Sequence, residues 1–255
     1  MKRFGLIGRS LGHSFSASYF ADKFSRERID AEYLNFELPD IRELRSLIAS
    51  HPDLCGLNVT IPYKQAVIPL LDELDDAAAV IGAVNTIIIR HHENRIWLRG
   101  CNTDAPGFLE SVRDLLPSSQ IKALILGTGG ASLAVKYALE SIGVGCTHVS
   151  RTPASSGTLS YEQIDEEVLC AHRLVVNCTP LGTHPHPEDC PPIPYRWITT
   201  DHMAHDLVYN PGCTEFMRRC AAQGASVRNV LKMLHTQAEL AWNLWTQDNQ
   251  ERHGM

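Results

Sequence analysis

Asn58 and Thr60 stand two residues apart in the apolar run 57–61, and Lys64 follows just beyond Pro62. In a strand that spacing puts both side chains on one face. Pro62 cannot donate to a ladder and so ends the strand, leaving Lys64 where the next helix can begin. Two neutral hydrogen-bonding groups and one cation then converge at a strand end. Such a trio suits a polyhydroxylated or carboxylated small molecule, with a lysine positioned to move a proton.

Other small polar clusters fall at expected strand ends. Ser14-Phe15-Ser16 follows His13, Asn85-Thr86 follows Gly82-Ala83-Val84, and Asn102-Thr103-Asp104 follows an apolar stretch ending near Leu98. Each by itself is the material of a helix cap or a turn. Taken with Asn58, Thr60 and Lys64 they make one pocket with many neutral donors, one cation and one carboxylate.

A second chemistry is written in Gly127-Thr128-Gly129-Gly130-Ala131, which follows the apolar run 123–126 and opens a helical stretch. The pattern is G-x-G-G-A-x-x-A, with Ala134 near the place of the usual third glycine. Glycines there permit a tight turn and bring backbone N–H groups close to a pyrophosphate at a helix N-terminus. An NAD site places an acid about 20 residues further on, for the ribose 2′-OH. This chain has Ser150-Arg151-Thr152 there, with Arg151 24 positions after Gly127. A guanidinium and two hydroxyls suit a 2′-phosphate, which an acid would repel. The expected cofactor is NADP(H) rather than NAD.

His184-Pro185-His186 with Cys190 invites a metal reading, but no fourth ligand stands at useful spacing. The expectation is a solvated loop and no metal.

These groups need elements to hold them. The pattern alternates strands and helices, which argues for α/β layers. Strands are expected at 4–7, 32–36, 56–61, 86–89, 95–98, 123–126, 147–150, 175–178, 206–209 and 225–227, with 86–98 as a hairpin. Helices are expected at 16–27, 41–49, 64–71, 77–81, 104–116, 131–142 and 231–245. The last would place Leu231, Leu234, Ala238, Ala241, Trp242 and Trp245 near one face. Pro117-Ser118-Ser119-Gln120 is the clearest internal break. The expected division is an N-terminal α/β domain to about residue 103 and then a dinucleotide-type domain, and the last helix suits packing on either.

Composition narrows the class. The chain has 255 residues, 44% hydrophobic and 20% charged, with a net charge of −6, close to globular averages. That balance argues against nucleic-acid or membrane-surface partners, which call for a basic patch. No apolar run approaches a membrane span, and the N-terminus turns into a strand too soon for a signal peptide. The eight cysteines form no Cys-x-x-Cys pair. They are expected to be reduced and mostly buried, in a cytoplasmic protein.

The chain resembles the shikimate dehydrogenase family over nearly its whole length. The resemblance is carried by Gly12-His13-Ser14-Phe15-Ser16, the run 58–64, residues 82–86, Asn102-Thr103-Asp104, the glycine turn at 127–131, Asp206-Leu207-Val208-Tyr209-Asn210-Pro211, and Met233-Leu234 with Gln237. It implies an N-terminal α/β substrate-binding, catalytic domain over 1–103, a Rossmann-type doubly wound NADP domain over 104–236, and a C-terminal helix over 237–255 packing back on the first. The implied reaction is the reversible NADPH-dependent reduction of 3-dehydroshikimate to shikimate in aromatic amino acid biosynthesis. The implied partners are that small molecule and the cofactor, in a monomer or homodimer. By the same resemblance, Ser14 and Ser16 would hold the substrate carboxylate. Asn58, Thr60, Asn85, Asp104 and Gln237 would contact ring hydroxyls, and Tyr209 would line the pocket. Lys64 and Asp104 resemble the catalytic pair. Gly127, Gly129, Gly130, Ala131, Ser150, Arg151, Thr152, Thr179, Thr183 and Val230 would serve the cofactor.

The chain departs from the family pattern at several positions. Ser10 and Ala17 replace prolines, and Ser150 replaces an asparagine while keeping a hydroxyl. Thr183 stands where methionine is usual and Val230 where glycine is usual, both beside the nicotinamide in the family. A β-branched residue hinders the backbone approach that glycine permits, so a less snug nicotinamide pocket is expected. Two other readings stand beside the leading one. The first is a quinate/shikimate dehydrogenase with relaxed cofactor choice, against which Arg151 argues. The second is a non-catalytic NADP- or shikimate-binding regulatory paralogue, against which the intact Lys64 and Asp104 argue.

Overall fold

The computed structural model describes residues 1–12, 14–92, 95–116, 121–153 and 156–251. His13, the hairpin tip at 93–94, the break at 117–120 and the last residues of the expected C-terminal helix lie outside them. Two compact units divide the chain: residues 1–107 with 234–255, and residues 108–233.

The first unit runs β1 (Lys2–Gly8), α1 (Phe15–Glu27), β2 (Ala31–Glu37), α2 (Leu44–Ser50), β3 (Leu54–Val59), α3 (Tyr63–Ala66), β4 (Glu73–Leu74), α4 (Asp76–Ile81), β5 (Thr86–His92) and β6 (Arg95–Cys101), with the start of α5 (Asp104–Val112). Its sheet has the order β2-β1-β3-β5-β6-β4. The strands β2, β1 and β3 are parallel, and the β5–β6 hairpin adds antiparallel to β3. β1 buries Phe4, Leu6 and Ile7, the near-continuous apolar run expected of a strand covered on both faces. α1 begins at Ser14, whose Oγ accepts from Ala17 N at 3.2 Å, and buries Phe20, Lys23 and Phe24 at helical spacing. The expected helix 41–49 splits into a single 3₁₀ turn and α2. The expected helix 64–71 splits in the same way, into α3 and the 3₁₀ turn Ile68–Leu70, because Pro69 has no N–H to continue an α ladder. α5 stops at Val112, four residues short of expectation.

The second unit continues from α5 through β7 (Lys122–Leu126), α6 (Gly130–Glu140), β8 (Gly145–Val149), α7 (Glu166–Ala171), β9 (Leu174–Asn177), β10 (Met203–Asp206), α8 (Glu215–Ala222) and β11 (Ser226–Arg228), into the start of α9 (Leu231–Glu251). Its strands are all parallel in the order β11-β10-β9-β7-β8, a doubly wound arrangement. One expected strand is corrected: 206–209 gives way to β10, which ends where the other began. Register with β9 pairs Met203 with Leu174 and Asp206 with Asn177. Beyond that pair the Asp206 carboxylate takes Val208 N at 2.9 Å and turns the chain out of the sheet. α7 and α8 are additions to the expected elements. Both are short, and each is announced only by its cap, Asp165 or Thr214.

From Leu234 onward, α9 belongs to the first unit. Trp245 stacks on Phe4 with ring centroids 4.9 Å apart and donates Nε1–H to Ile87 O at 3.0 Å. Gly56 makes that approach possible, since a Cβ there would fall 2.2 Å from Trp245 Nε1. Glu239 accepts from Tyr19 and, at 3.0 Å, from the buried Lys23, tying the helix to α1. The buried face is Met233, Gln237, Ala238, Ala241 and Trp245. Leu231, expected on it, is 40% exposed at the helix start. The cysteines also need correction: only Cys101 and Cys220 are buried, Cys170 and Cys213 are exposed, and the rest are half-buried. Among the described residues, no helix is long and apolar enough to cross a membrane.

Candidate active site

In the first unit the polar residues meet because of strand register. Asn58 on β3 pairs with Thr86 on β5, and Thr86 pairs with Cys101 on β6. The residues flanking that row, Asn85 and 102–104, therefore gather at one end of three neighbouring strands. Lys64, the second residue of α3, is brought alongside by its own carbonyl, which accepts from Val84 N at 2.7 Å.

Lys64 Nζ donates to Asp104 Oδ2 at 2.6 Å, with the two side chains 15% and 7% exposed. The other carboxylate oxygen, Oδ1, accepts from Asn85 Nδ2 at 2.9 Å. Asn85 is itself held at both ends. Its Oδ1 accepts from Thr103 N at 2.7 Å, and its Nδ2 reaches Thr103 Oγ1 at 2.9 Å and, more loosely, Gln237 Oε1 at 3.5 Å. Asn58 Nδ2 donates to Thr86 Oγ1 and to Asn85 O, both at 3.2 Å. Asn58, Asn85, Thr86, Thr103, Asp104 and Gln237 are all buried. A largely buried ion pair is tolerated when its remaining polar atoms find partners, and Asn85 supplies one for the second carboxylate oxygen. The ammonium keeps further N–H groups for a ligand after giving one to Asp104.

Thus Asn58, Lys64, Asn85, Asp104 and Gln237 form one connected group. Ser14 Oγ accepts from Ala17 N in capping α1, and among the described residues its hydroxyl proton goes to no acceptor. Ser16 contacts Tyr33. Thr60 is half-buried and lies outside the connected group among the described residues, its carbonyl accepting from Tyr63 N at 2.9 Å. Tyr209 is half-buried in the second unit, where burial raises its pKa. Tyr33 is a site residue that the sequence does not disclose. Its hydroxyl donates to Asn58 Oδ1 at 2.8 Å and sets that amide's orientation. Burial holds the phenol protonated. A tyrosine inside a strand carries no signal that separates it from core packing.

In the second unit the glycine turn links β7 to α6. Gly127 has φ +114, a conformation L side chains rarely adopt, and a Cβ there would meet Cys178 O at 3.3 Å. Around Gly129 a Cβ would meet nothing within 4 Å, so the turn faces open space at the helix start. Among the described residues no acceptor takes the N–H groups of Thr128 or Gly129. Gly130 and Ala131 are the first two residues of α6. Past the end of β8, Arg151 and Thr152 are exposed and Ser150 half-buried, with Thr152 N donating to Ser150 Oγ at 3.2 Å. Open N–H groups at a helix start, with a guanidinium and hydroxyls at the next strand end, fit a dinucleotide bearing a 2′-phosphate.

Thr179 follows β9, its Oγ1 donating to Asn177 Oδ1 at 2.6 Å. Thr183 is half-buried in the same loop and Val230, just before α9, is 2% exposed. Asn177 Nδ2 donates in turn to Asp206 Oδ1 at 3.0 Å. Asp206 is fully buried, and burial pushes its carboxyl up to about 6 despite donors from Thr214, Val208 and Asn177. In the histidine-containing loop 184–190, His186 Nδ1 lies 3.5 Å from the exposed Glu188.

Known proteins resemble the chain over nearly its whole length. Residues 6–87 match the family model described as the shikimate dehydrogenase substrate binding domain. The shikimate dehydrogenase (NADP(+)) of Carboxydothermus hydrogenoformans is 36% identical over 257 aligned positions, covering 95% of this chain and 90% of that protein. A shikimate 5-dehydrogenase from Thermus thermophilus, solved with NADP(H) and shikimate, superposes with a TM-score of 0.84 at 34% identity, covering 97% of this chain and 94% of that one. A quinate dehydrogenase from Corynebacterium glutamicum in complex with NAD gives a TM-score of 0.83 at 28% identity, covering 96% and 94%.

Proposed function

The chain belongs to the shikimate dehydrogenase family, and we propose that it interconverts 3-dehydroshikimate and shikimate with Lys64 as acid–base and Asp104 as its partner. It is an NADP-dependent oxidoreductase of the shikimate pathway. The observation that carries the residue assignment is the contact of Lys64 Nζ with Asp104 Oδ2 at 2.6 Å, inside a cage of neutral amides and hydroxyls. The first unit is the substrate domain in this reading and the second the cofactor domain, in a cytoplasmic enzyme.

Ser14 and Ser16, at the start of α1, bind the substrate carboxylate by hydroxyl donation. Asn58, Thr60, Asn85, Asp104 and Gln237 read the ring hydroxyls, with Tyr209 lining the pocket. NADPH, when bound, supplies a hydride to the ketone carbon. Oxygen then gathers negative charge, and Lys64 stabilises it and passes a proton from Nζ to that oxygen. Asp104 keeps the ammonium aimed and balances its charge. In the oxidative direction Lys64 would take the hydroxyl proton on Nζ while the hydride leaves the carbon for NADP. Asn85 fixes the free oxygen of Asp104, so that the carboxylate cannot turn away from the lysine. The glycine turn 127–131 receives the pyrophosphate, Ser150, Arg151 and Thr152 the 2′-phosphate, and Thr179, Thr183 and Val230 adjoin the nicotinamide.

The test is a spectrophotometric assay of purified protein with shikimate and NADP, then with NAD, then with quinate. Formation of reduced cofactor with shikimate and NADP is expected. Turnover only with quinate and NAD would replace this reading with the quinate one, and binding of NADP without turnover would replace it with a regulatory role.

A further inference from the structure

Gly127 is the least self-determined residue of the nucleotide turn. Without a Cβ, glycine has no steric preference to hold φ at +114, so the conformation must be imposed from outside. Two neighbours on β8 impose it. Gly127 N donates to Val149 O at 2.9 Å, and Gly127 O lies 2.9 Å from His148 Nδ1. A carbonyl oxygen only accepts, so Nδ1 carries the proton and Nε2 is bare. Nε2 is buried with no partner among the described residues, a cost that a packed apolar side chain would avoid. Burial lowers the ring's pKa, which keeps this neutral tautomer in place.

The geometry has a directional result. In a planar trans peptide the C=O and the following N–H point opposite ways. With the Gly127 carbonyl held against His148, the Thr128 N–H is turned away from β8, and it has no acceptor among the described residues. We propose that His148 is a positioning residue for the cofactor: its Nδ1–H fixes the Gly127–Thr128 peptide so that the turn's N–H groups are set for a pyrophosphate before it arrives. The inference rests on the reading that this turn holds the pyrophosphate. Without the histidine, the glycine peptide regains freedom that binding must then remove.

Titration of NADP into wild type, His148→Leu and His148→Asn tests it. Leucine fills the ring's volume without a donor, and asparagine keeps an N–H near the place of Nδ1. For His148→Leu, Kd for NADP should rise about five- to tenfold, the worth of one ordinary hydrogen bond. His148→Asn should recover most of that loss, with the KM for shikimate unchanged in both. Equal affinity of His148→Leu and wild type, or no recovery in His148→Asn, overturns the proposal. So does a lowered melting temperature of the free protein with Kd unmoved, which marks the ring as structural only. Gly127→Ala, which alters the turn itself, separates the premise from the inference. If it binds NADP as wild type does, the cofactor reading fails and the inference falls with it. If it binds weakly while His148→Leu does not, only the role of His148 is lost.

Discussion

Two buried carboxylates stand at strand or helix ends, one in each unit, and they are accommodated in opposite ways. Asp104 has an ammonium at 2.6 Å and an amide on its other oxygen. Asp206 has no cation beside it among the described residues and is held by Thr214 Oγ1 at 2.5 Å, Asn177 Nδ2 and Val208 N. The first is a charge pair with Lys64, to which the proposed function assigns the proton transfer. The second ties the loop after β9 to the turn after β10, and its carboxyl is pushed up to about 6 by burial. On the proposed function, the substrate unit works through side-chain charge and the nucleotide unit through backbone shape, with polar side chains as its fasteners.

The contrast can be attacked first where the effect is largest. Lys64→Ala should lower kcat by about 10²–10⁴, the usual worth of positioned proton transfer, with kcat/KM falling alongside. Retained kcat with only a raised KM for shikimate would reduce Lys64 to a binding cation.

The second attack is on Asp206, through pH. Its folded value of about 6 lies above the ordinary 3.8. Between those values the native state holds the proton more firmly than the unfolded chain. This group's contribution to stability therefore grows as pH falls from 6 towards 4 and is lost as pH rises through 6. At pH 7 the buried charge costs roughly 3 kcal/mol. Denaturant unfolding of wild type and Asp206→Asn at pH 7 and pH 4 should show wild type gaining up to that amount relative to the variant. A pH-independent difference would make Asp206 an ordinary carboxylate and erase the contrast.

A third, smaller effect sharpens the backbone side of the comparison. Gly127→Ala adds a Cβ at φ +114, 3.3 Å from Cys178 O. Strain of this kind is worth on the order of 1–3 kcal/mol. Kd for NADP should rise about 10- to 100-fold while the KM for shikimate holds, as read by calorimetry and by the assay. Equal damage to both constants would mean that the turn serves folding rather than the cofactor.

The smallest effect is a gain. Val230→Gly should tighten NADPH or quicken turnover by about two- to fivefold, since a β-branched side chain obstructs backbone approach. An unchanged cofactor affinity and rate would show that Val230 is accommodated at no cost to the site.

How far these features are legible from residues alone differs between the units. The pair Asn58 and Lys64 and the cluster 102–104 announce themselves by type and spacing. Register explains why they meet, because Asn58, Thr86 and Cys101 lie in one row across three strands. Tyr33 and His148 give no such sign. Each is an ordinary strand residue until tertiary pairing points its polar atom at Asn58 or Gly127. The strand expected at 206–209 shows the same limit. Leu207, Val208 and Tyr209 suit a strand, but pairing with β9 is complete at Asp206, whose own carboxylate then bends the chain away. α7 and α8 are hidden by brevity, each having fewer than nine residues.

The seat of Trp245 against Gly56 and Phe4 also governs the order in which a ribosome can finish this protein. The sheet β1–β6 leaves the exit tunnel first, yet the aromatic side chain that covers Phe4 and binds Ile87 O is made about 140 residues after β6. The nucleotide unit is one unbroken stretch, 108–233, and has all its strands before α9 is synthesised. The half translated first is therefore the half completed last. A nascent chain arrested at residue 233 would carry a finished second unit and a first-unit sheet whose apolar face still awaits its cover, the form most open to chaperones and to aggregation.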